Sequence, residues 1–160
     1  MKRGAKTRME KVRNNPGMRL VEAIRGKMIG LAQGTRQKSS TVQKYTGLKT
    51  AEEMMLHFEG TFTAGMTRDN FGFGHGKWTV GHRIARAMYN FKHEEDVMRC
   101  QNPANLFAQW YTENVSMGVK LPPTDMLMAL KNQWPLSWND QLPSNRKALE
   151  KLARNGKLHY

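Results

Sequence analysis

A single cysteine, Cys100, stands in a chain of 160 residues. That excludes an internal disulfide framework and any zinc cluster built from cysteines alone, and it suggests a reducing compartment. Long apolar runs are missing as well. No window reaches the roughly 18 apolar residues of a membrane-spanning helix, and nothing reads as a secretory signal. The expectation is an intracellular protein, cytoplasm and nucleus not separated, with no membrane partner. Acidic residues are scarce in one region only. Residues 1–50 hold 13 basic residues against two acids, Glu10 and Glu22, whereas residues 51–160 hold 13 against 11.

The net charge of +13 is therefore concentrated at the N-terminal end, which carries +11 of it. A basic arm on a nearly neutral body points to a polyanionic partner, because every phosphate contact releases condensed counterions. A tail kept basic for solubility would carry the same charge. The length fits one domain with tails and a modest core. Twelve methionines are many for this length; they fill irregular core gaps and imply no cofactor.

Along the chain, residues 1–17 read as a flexible basic arm that ends at the breaker run Asn14-Asn15-Pro16-Gly17. From Met18 the stripe Leu20, Val21, Ile24, Met28 and Leu31 predicts a helix that breaks near Gly34. Residues 34–45 are polar and basic and read as a loop touching solvent or phosphate. Thr50 and Glu53 fit a capping box for a helix with Met54, Met55 and Phe58 inward and His57 half-buried. Four glycines between residues 64 and 77 mark irregular backbone, after which Lys77-Trp78-Thr79-Val80 reads as a short strand running into Gly81-His82. Residues 85–101 read as a loop or short helix. The acids Glu94, Glu95 and Asp96 at its start are favourable dipole partners rather than a catalytic pair. Leu106 to Trp110 reads as a second strand, Thr112 to Met117 as a helix, and Ser144 to Arg154 as another. Cys100 reads as a buried thiol, and His75 as an exposed loop residue. Trp134 and Trp138 could stack on bases, although packing of the tail is the better reading.

Singly, His82, Asn105 and Asn114 are ordinary. Their order and surroundings are not. Trp78-Thr79-Val80-Gly81-His82 is followed by Asn105-Leu106-Phe107-Ala108-Gln109-Trp110, then by Glu113-Asn114 and Gly118-Val119-Lys120-Leu121-Pro122. Upstream stand Gly47-Leu48-Lys49-Thr50-Ala51-Glu52-Glu53, His57-Phe58-Glu59 and the turn Gly65-Met66-Thr67-Arg68-Asp69-Asn70. From about Met18 to about Pro122 this pattern resembles the HNH endonucleases, particularly the small intracellular kind common in phages.

The resemblance implies an α+β fold: a ββα-metal unit near residues 76–120, flanked by N- and C-terminal helices. It divides the chain into a basic arm (1–17), an HNH-like nucleic-acid-binding domain (18–122) and a C-terminal tail with a helix (123–160). It also implies a metal-dependent endonuclease acting on DNA. His82 would be the general base, Asn105 the brace of the loop that holds it, and Asn114 an oxygen donor to a divalent ion, Mg, Mn, Ni or Zn. Arg83, Arg86 and Lys120 flank this site as candidate phosphate contacts, with ordinary surface charge as the alternative.

Three positions depart from the family. Gly81 stands in place of the aspartate before the base, so the strongest hard-oxygen ligand is missing. Thr79 replaces the first histidine of the strand, and Ala85 a proline. His75, His93, Glu113 or Asp96 could substitute if their loops fold toward His82. Two functions follow from this pattern: an endonuclease with an unusual ligand set, or a non-catalytic module that binds DNA, or structured RNA, within a larger nucleoprotein particle. Restoring the carboxylate with Gly81→Asp is expected to separate them.

Overall fold

The computed structural model describes Glu10 and residues 14–159. Of the expected basic arm, residues 1–9 and 11–13 thus lie outside the described residues. The architecture is mixed helix and strand, α+β, with seven α-helices and one two-stranded antiparallel sheet among the described residues. None of these helices is long and apolar enough to cross a membrane.

The run Asn14-Asn15-Pro16-Gly17 leads directly into a helix. Helix α1 spans Pro16–Ala32, with Asn15 as N-cap accepting from the Gly17 and Met18 amides at 3.0 and 3.2 Å. Proline at the first helical position loses no hydrogen bond, so the residue that breaks a helix interior here begins one. Of the expected stripe, Val21, Ile24, Met28 and Leu31 are buried, and Leu20 packs against the same core while only partly buried.

The polar segment expected as a loop contains a further helix. Helix α2, Ser40–Thr46, is capped by Ser39, whose hydroxyl accepts from Val42 N, and is closed by Gly47 in the left-handed conformation. Only Val42, Tyr45 and Thr46 are buried in it, too few positions to give a periodic signal in so polar a stretch. Helix α3, Ala51–Glu59, has the expected N-cap: Thr50 Oγ1 accepts from Glu53 N at 3.1 Å. The reciprocal contact goes one residue further back, with the Glu53 carboxylate accepting from Lys49 N at 2.6 Å.

Strand β1 is Trp78–His82 and strand β2 is Leu106–Trp110, paired Trp78 to Trp110, Thr79 to Gln109, Val80 to Ala108, Gly81 to Phe107 and His82 to Leu106. Alternation places Trp78 with Leu106 and Ala108 against α3, where the Trp78 ring lies 5.7 Å from Phe58, 5.0 Å from Phe62 and 4.9 Å from Phe71. Burial of each such side chain contributes roughly 1.5–3 kcal/mol. The sheet is pinned to α3 by polar contacts too. His57 Nε2 donates to the Leu106 carbonyl at 2.9 Å, and Thr61 Oγ1 accepts from Ala108 N at 2.8 Å.

Between the strands runs helix α4, Glu94–Gln101, with its three acids in the first turn. Helix α5, Tyr111–Met117, follows β2 without a break and packs on the sheet. Beyond it come α6, Thr124–Ala129, and α7, Arg146–Arg154. The chain after residue 122 joins the same hydrophobic core through Leu127, Leu130, Trp134 and Trp138. Trp134 donates to the Leu127 carbonyl at 2.7 Å, and its ring lies 5.9 Å from that of Trp138, so these tryptophans pack.

Candidate functional site

Between the end of β1, helix α5 and the segment leading to α6 lies a cleft of about 750 Å³. Of the expected site residues, His82, Arg83, Arg86, Asn114 and Lys120 all line it. Asn105 does not; it lies fully buried behind the loop that leaves β1.

Asn105 ties that loop to its surroundings with every polar atom of its amide. Oδ1 accepts from Ile84 N at 2.8 Å, while Nδ2 donates to the Ile84 carbonyl at 3.2 Å and the Cys100 carbonyl at 3.0 Å. Its own carbonyl accepts from Arg83 N at 2.9 Å. The two residues after His82 are thereby fixed by one residue just before β2, Arg83 by its backbone carbonyl and Ile84 by its side chain. Nearby Cys100 is fully buried, and burial pushes its thiol well above the ordinary range, so it holds no reactive thiolate at neutral pH.

His82 lies half-buried at the end of β1, with Nε2 3.3 Å from Gln101 Oε1. Burial pushes its pKa down to about 3, and the nearby cations Arg86 and Arg25 act in the same direction against the Gln101 contact. The imidazole is neutral at physiological pH. A neutral ring that donates Nε2–H to Gln101 keeps its lone pair on Nδ1, the form a general base requires.

Asn114 stands on α5, with Nδ2 3.4 Å from the Val80 carbonyl to which it donates. Arg83 lies over the Phe107 ring at 4.6 Å, and burial lowers its pKa. Arg86 reaches Glu22 of α1 at 3.5 Å, and Lys120 is exposed on the cleft rim.

The substitutes for the missing carboxylate are mostly elsewhere. Asp96 is buried, and its two oxygens accept from Asn90 N and Leu136 N, each at 2.9 Å, so it braces loops. His75 and His93 are exposed and do not line the cleft. Glu113 alone of the four lines it.

Position 81 itself is occupied by its neighbours. A Cβ on Gly81 would meet Gln109 Oε1 at 2.6 Å, Gln109 Cβ at 2.8 Å and Phe107 Cε1 at 2.9 Å. Gln109 is held in that place by Nε2, which lies 3.1 Å from Met117 Sδ on α5. An aspartate at position 81 would therefore have to displace Gln109 and Phe107, because the space is filled from across the sheet. Around the cleft the side-chain oxygen donors are the neutral amides of Asn114, Gln101 and Gln109, the hydroxyls of Thr79 and Tyr111, and the exposed carboxylate of Glu113. Hard divalent ions select several anionic or strongly dipolar oxygens. Among the described residues no three of His, Cys, Asp and Glu stand together in a metal-holding group. This donor set does not fit a tightly held divalent ion.

Gln101, Gln109, Phe73 and Tyr111 also line the cleft and were not expected there. Gln109 was readable in principle, since it shares with Gly81 the face set by strand alternation once the register is known. Nothing in the sequence pointed to Gln101. No protein-family model matches the chain, and neither a curated protein nor a solved structure matches it.

Proposed function

We propose that this chain is an HNH-type nucleic-acid-binding protein that docks the DNA backbone in the cleft beside His82 without holding a catalytic metal ion. The observation that carries the reading is the pairing of Gly81 with Gln109. Basic side chains surround the cleft, while the place where an acidic ligand would stand is packed with a neutral amide. Arg83 and Lys120 meet no carboxylate among the described residues, which leaves both able to meet phosphate. The charge on residues 1–50 adds attraction that does not depend on base sequence.

A second reading, the metal-dependent endonuclease, rests on one observation: the His82 imidazole lines the cleft, although a pKa pushed down to about 3 leaves it a weak base. Purified protein incubated with supercoiled plasmid and Mg²⁺, Mn²⁺, Ni²⁺ or Zn²⁺, beside His82→Ala, separates the two. The binding module shifts the plasmid on a gel, loses that shift as salt rises, and nicks nothing. Nicking that requires metal and vanishes in the variant would establish the endonuclease instead. Removal of residues 1–13 is expected to weaken binding and flatten its salt dependence.

A further inference from the structure

Beside His82 the cleft wall is aromatic as well as basic. Phe73 lies on the loop before β1, on a backbone that Gly74 and Gly76 hold at φ +109° and +73°, values a side-chain-bearing residue rarely adopts. The ring is 47 % exposed, yet it is not loose. Tyr111, the first residue of α5, meets it edge to face at 5.9 Å and 86°, and Phe71 supports it at 6.5 Å. The Arg25 guanidinium lies 5.7 Å from its centre. A large apolar ring held in place and half open to solvent is a prepared surface, and prepared surfaces lose little entropy on binding.

A single exposed phenylalanine is ordinary on a protein surface. Phe73 is not isolated, however. Val115, Met117 and Met126, all exposed, line the same cleft, as does Phe107 under Arg83. Apolar side chains and cations thus share one concavity, matching a ligand that combines flat apolar rings with negative charge. Duplex DNA hides its ring faces in the stack and offers a protein only base edges and phosphates. A single strand leaves the ring faces open to stack on aromatic side chains.

Resting on the DNA-docking reading above, we propose that the cleft takes single-stranded DNA, with an unstacked base against Phe73 and the adjoining phosphates on Arg83 and Lys120. The basic groups supply affinity that falls with salt; Phe73 supplies the preference for an unpaired strand.

The test uses the full chain and a short oligodeoxynucleotide carrying one 2-aminopurine, presented alone or annealed to its complement. Single-strand binding is expected to be the tighter, with the fluorescence of the reporter base changed on binding. Phe73→Ala should weaken it roughly 5- to 150-fold, the range that one base–aromatic stack spans, while duplex affinity and the salt slope stay as they were. Phe73→Trp should restore the single-strand preference, which shows that the loss is of the ring and not of the fold. If duplex binds as tightly as single strand, or if Phe73→Ala binds single strand unchanged, the inference is overturned while the DNA-docking reading survives. Should neither form bind, that reading fails as well.

Discussion

Gly81 and Gln109 are diagonal neighbours on the same face of the sheet, and the amide oxygen of Gln109 lies 2.6 Å from where a Cβ on Gly81 would be. The glycine and the glutamine are matched. Either a side chain projects from position 81 into the gap beneath α5, or Gln109 crosses from β2 to fill it. In this chain the second arrangement holds, and Met117 on α5 completes the packing.

The first prediction concerns that pair. Gly81→Asp should cost about 1–3 kcal/mol as an overpacked substitution, read from urea midpoints, and should add no Mn²⁺ affinity in a calorimetric titration. Because Gln109 Cβ as well as Oε1 crowds the position, the relieving change is Gln109→Gly. A double-mutant cycle should show Gly81→Asp far less costly in that background. Additive costs would mean that the two residues do not compete for the space.

Asn105 carries the second. Truncation to alanine leaves Ile84 N, the Ile84 carbonyl and the Cys100 carbonyl without this partner in a buried place. An unsatisfied buried polar group costs about 1–3 kcal/mol. Asn105→Ala should therefore lower stability by several kcal/mol, and amide exchange at Ile84 should accelerate more than exchange at Val21 in α1. Uniform acceleration would deny Asn105 its local role as a brace.

His82 supplies a pH dependence whose sign is fixed. Its folded-state pKa, about 3, lies below its ordinary value of 6.5, so the unfolded chain binds this proton first. The contribution is complete above about pH 6.5 and is lost as pH falls toward 3, with a slope approaching about 1.4 kcal/mol per pH unit. Denaturant midpoints measured through this window should fall more steeply for the natural chain than for His82→Gln. Parallel curves would show that the ring is solvated.

Gly17 marks a close approach of α1 to the loop before α4. A Cβ there would overlap the Phe91 carbonyl, which is backbone and cannot step aside. Gly17→Ala should lower the melting temperature, at a cost of roughly 1–3 kcal/mol or more, despite alanine's better helix propensity. Substitution at Gly26, where a Cβ would meet nothing within 4 Å, is the control and should stabilise slightly.

Several elements were legible because local rules and tertiary packing agreed on them. The stripe Val21, Ile24, Met28 and Leu31 gave α1, and Thr50 with Glu53 gave the start of α3. The short runs at Lys77 to Val80 and Leu106 to Trp110 gave both strands. Where they disagreed, packing decided. Ser40–Thr46 is helical although its composition is that of a loop, because Ser39 and Gly47 close its ends and three side chains find the core. Pro16 looks like the end of a linker in isolation; Asn15 ahead of it makes it a first turn.

For the site, the sequence by itself determined which side chains exist: one imidazole at the end of a strand, asparagines before the second strand and on the helix after it, and no carboxylate at position 81. Residue identity and strand alternation are local properties, so one chain read in order is enough to recover them. Only the tertiary structure decided that Asn105 is spent on the backbone of Ile84 and Cys100, that Asp96 braces two loops, and that Gln109 fills the gap beside Gly81. It also brought Phe73 to the cleft of His82. Those outcomes depend on strand register and on the approach of segments distant in sequence, which the order of residues constrains only through the folded whole.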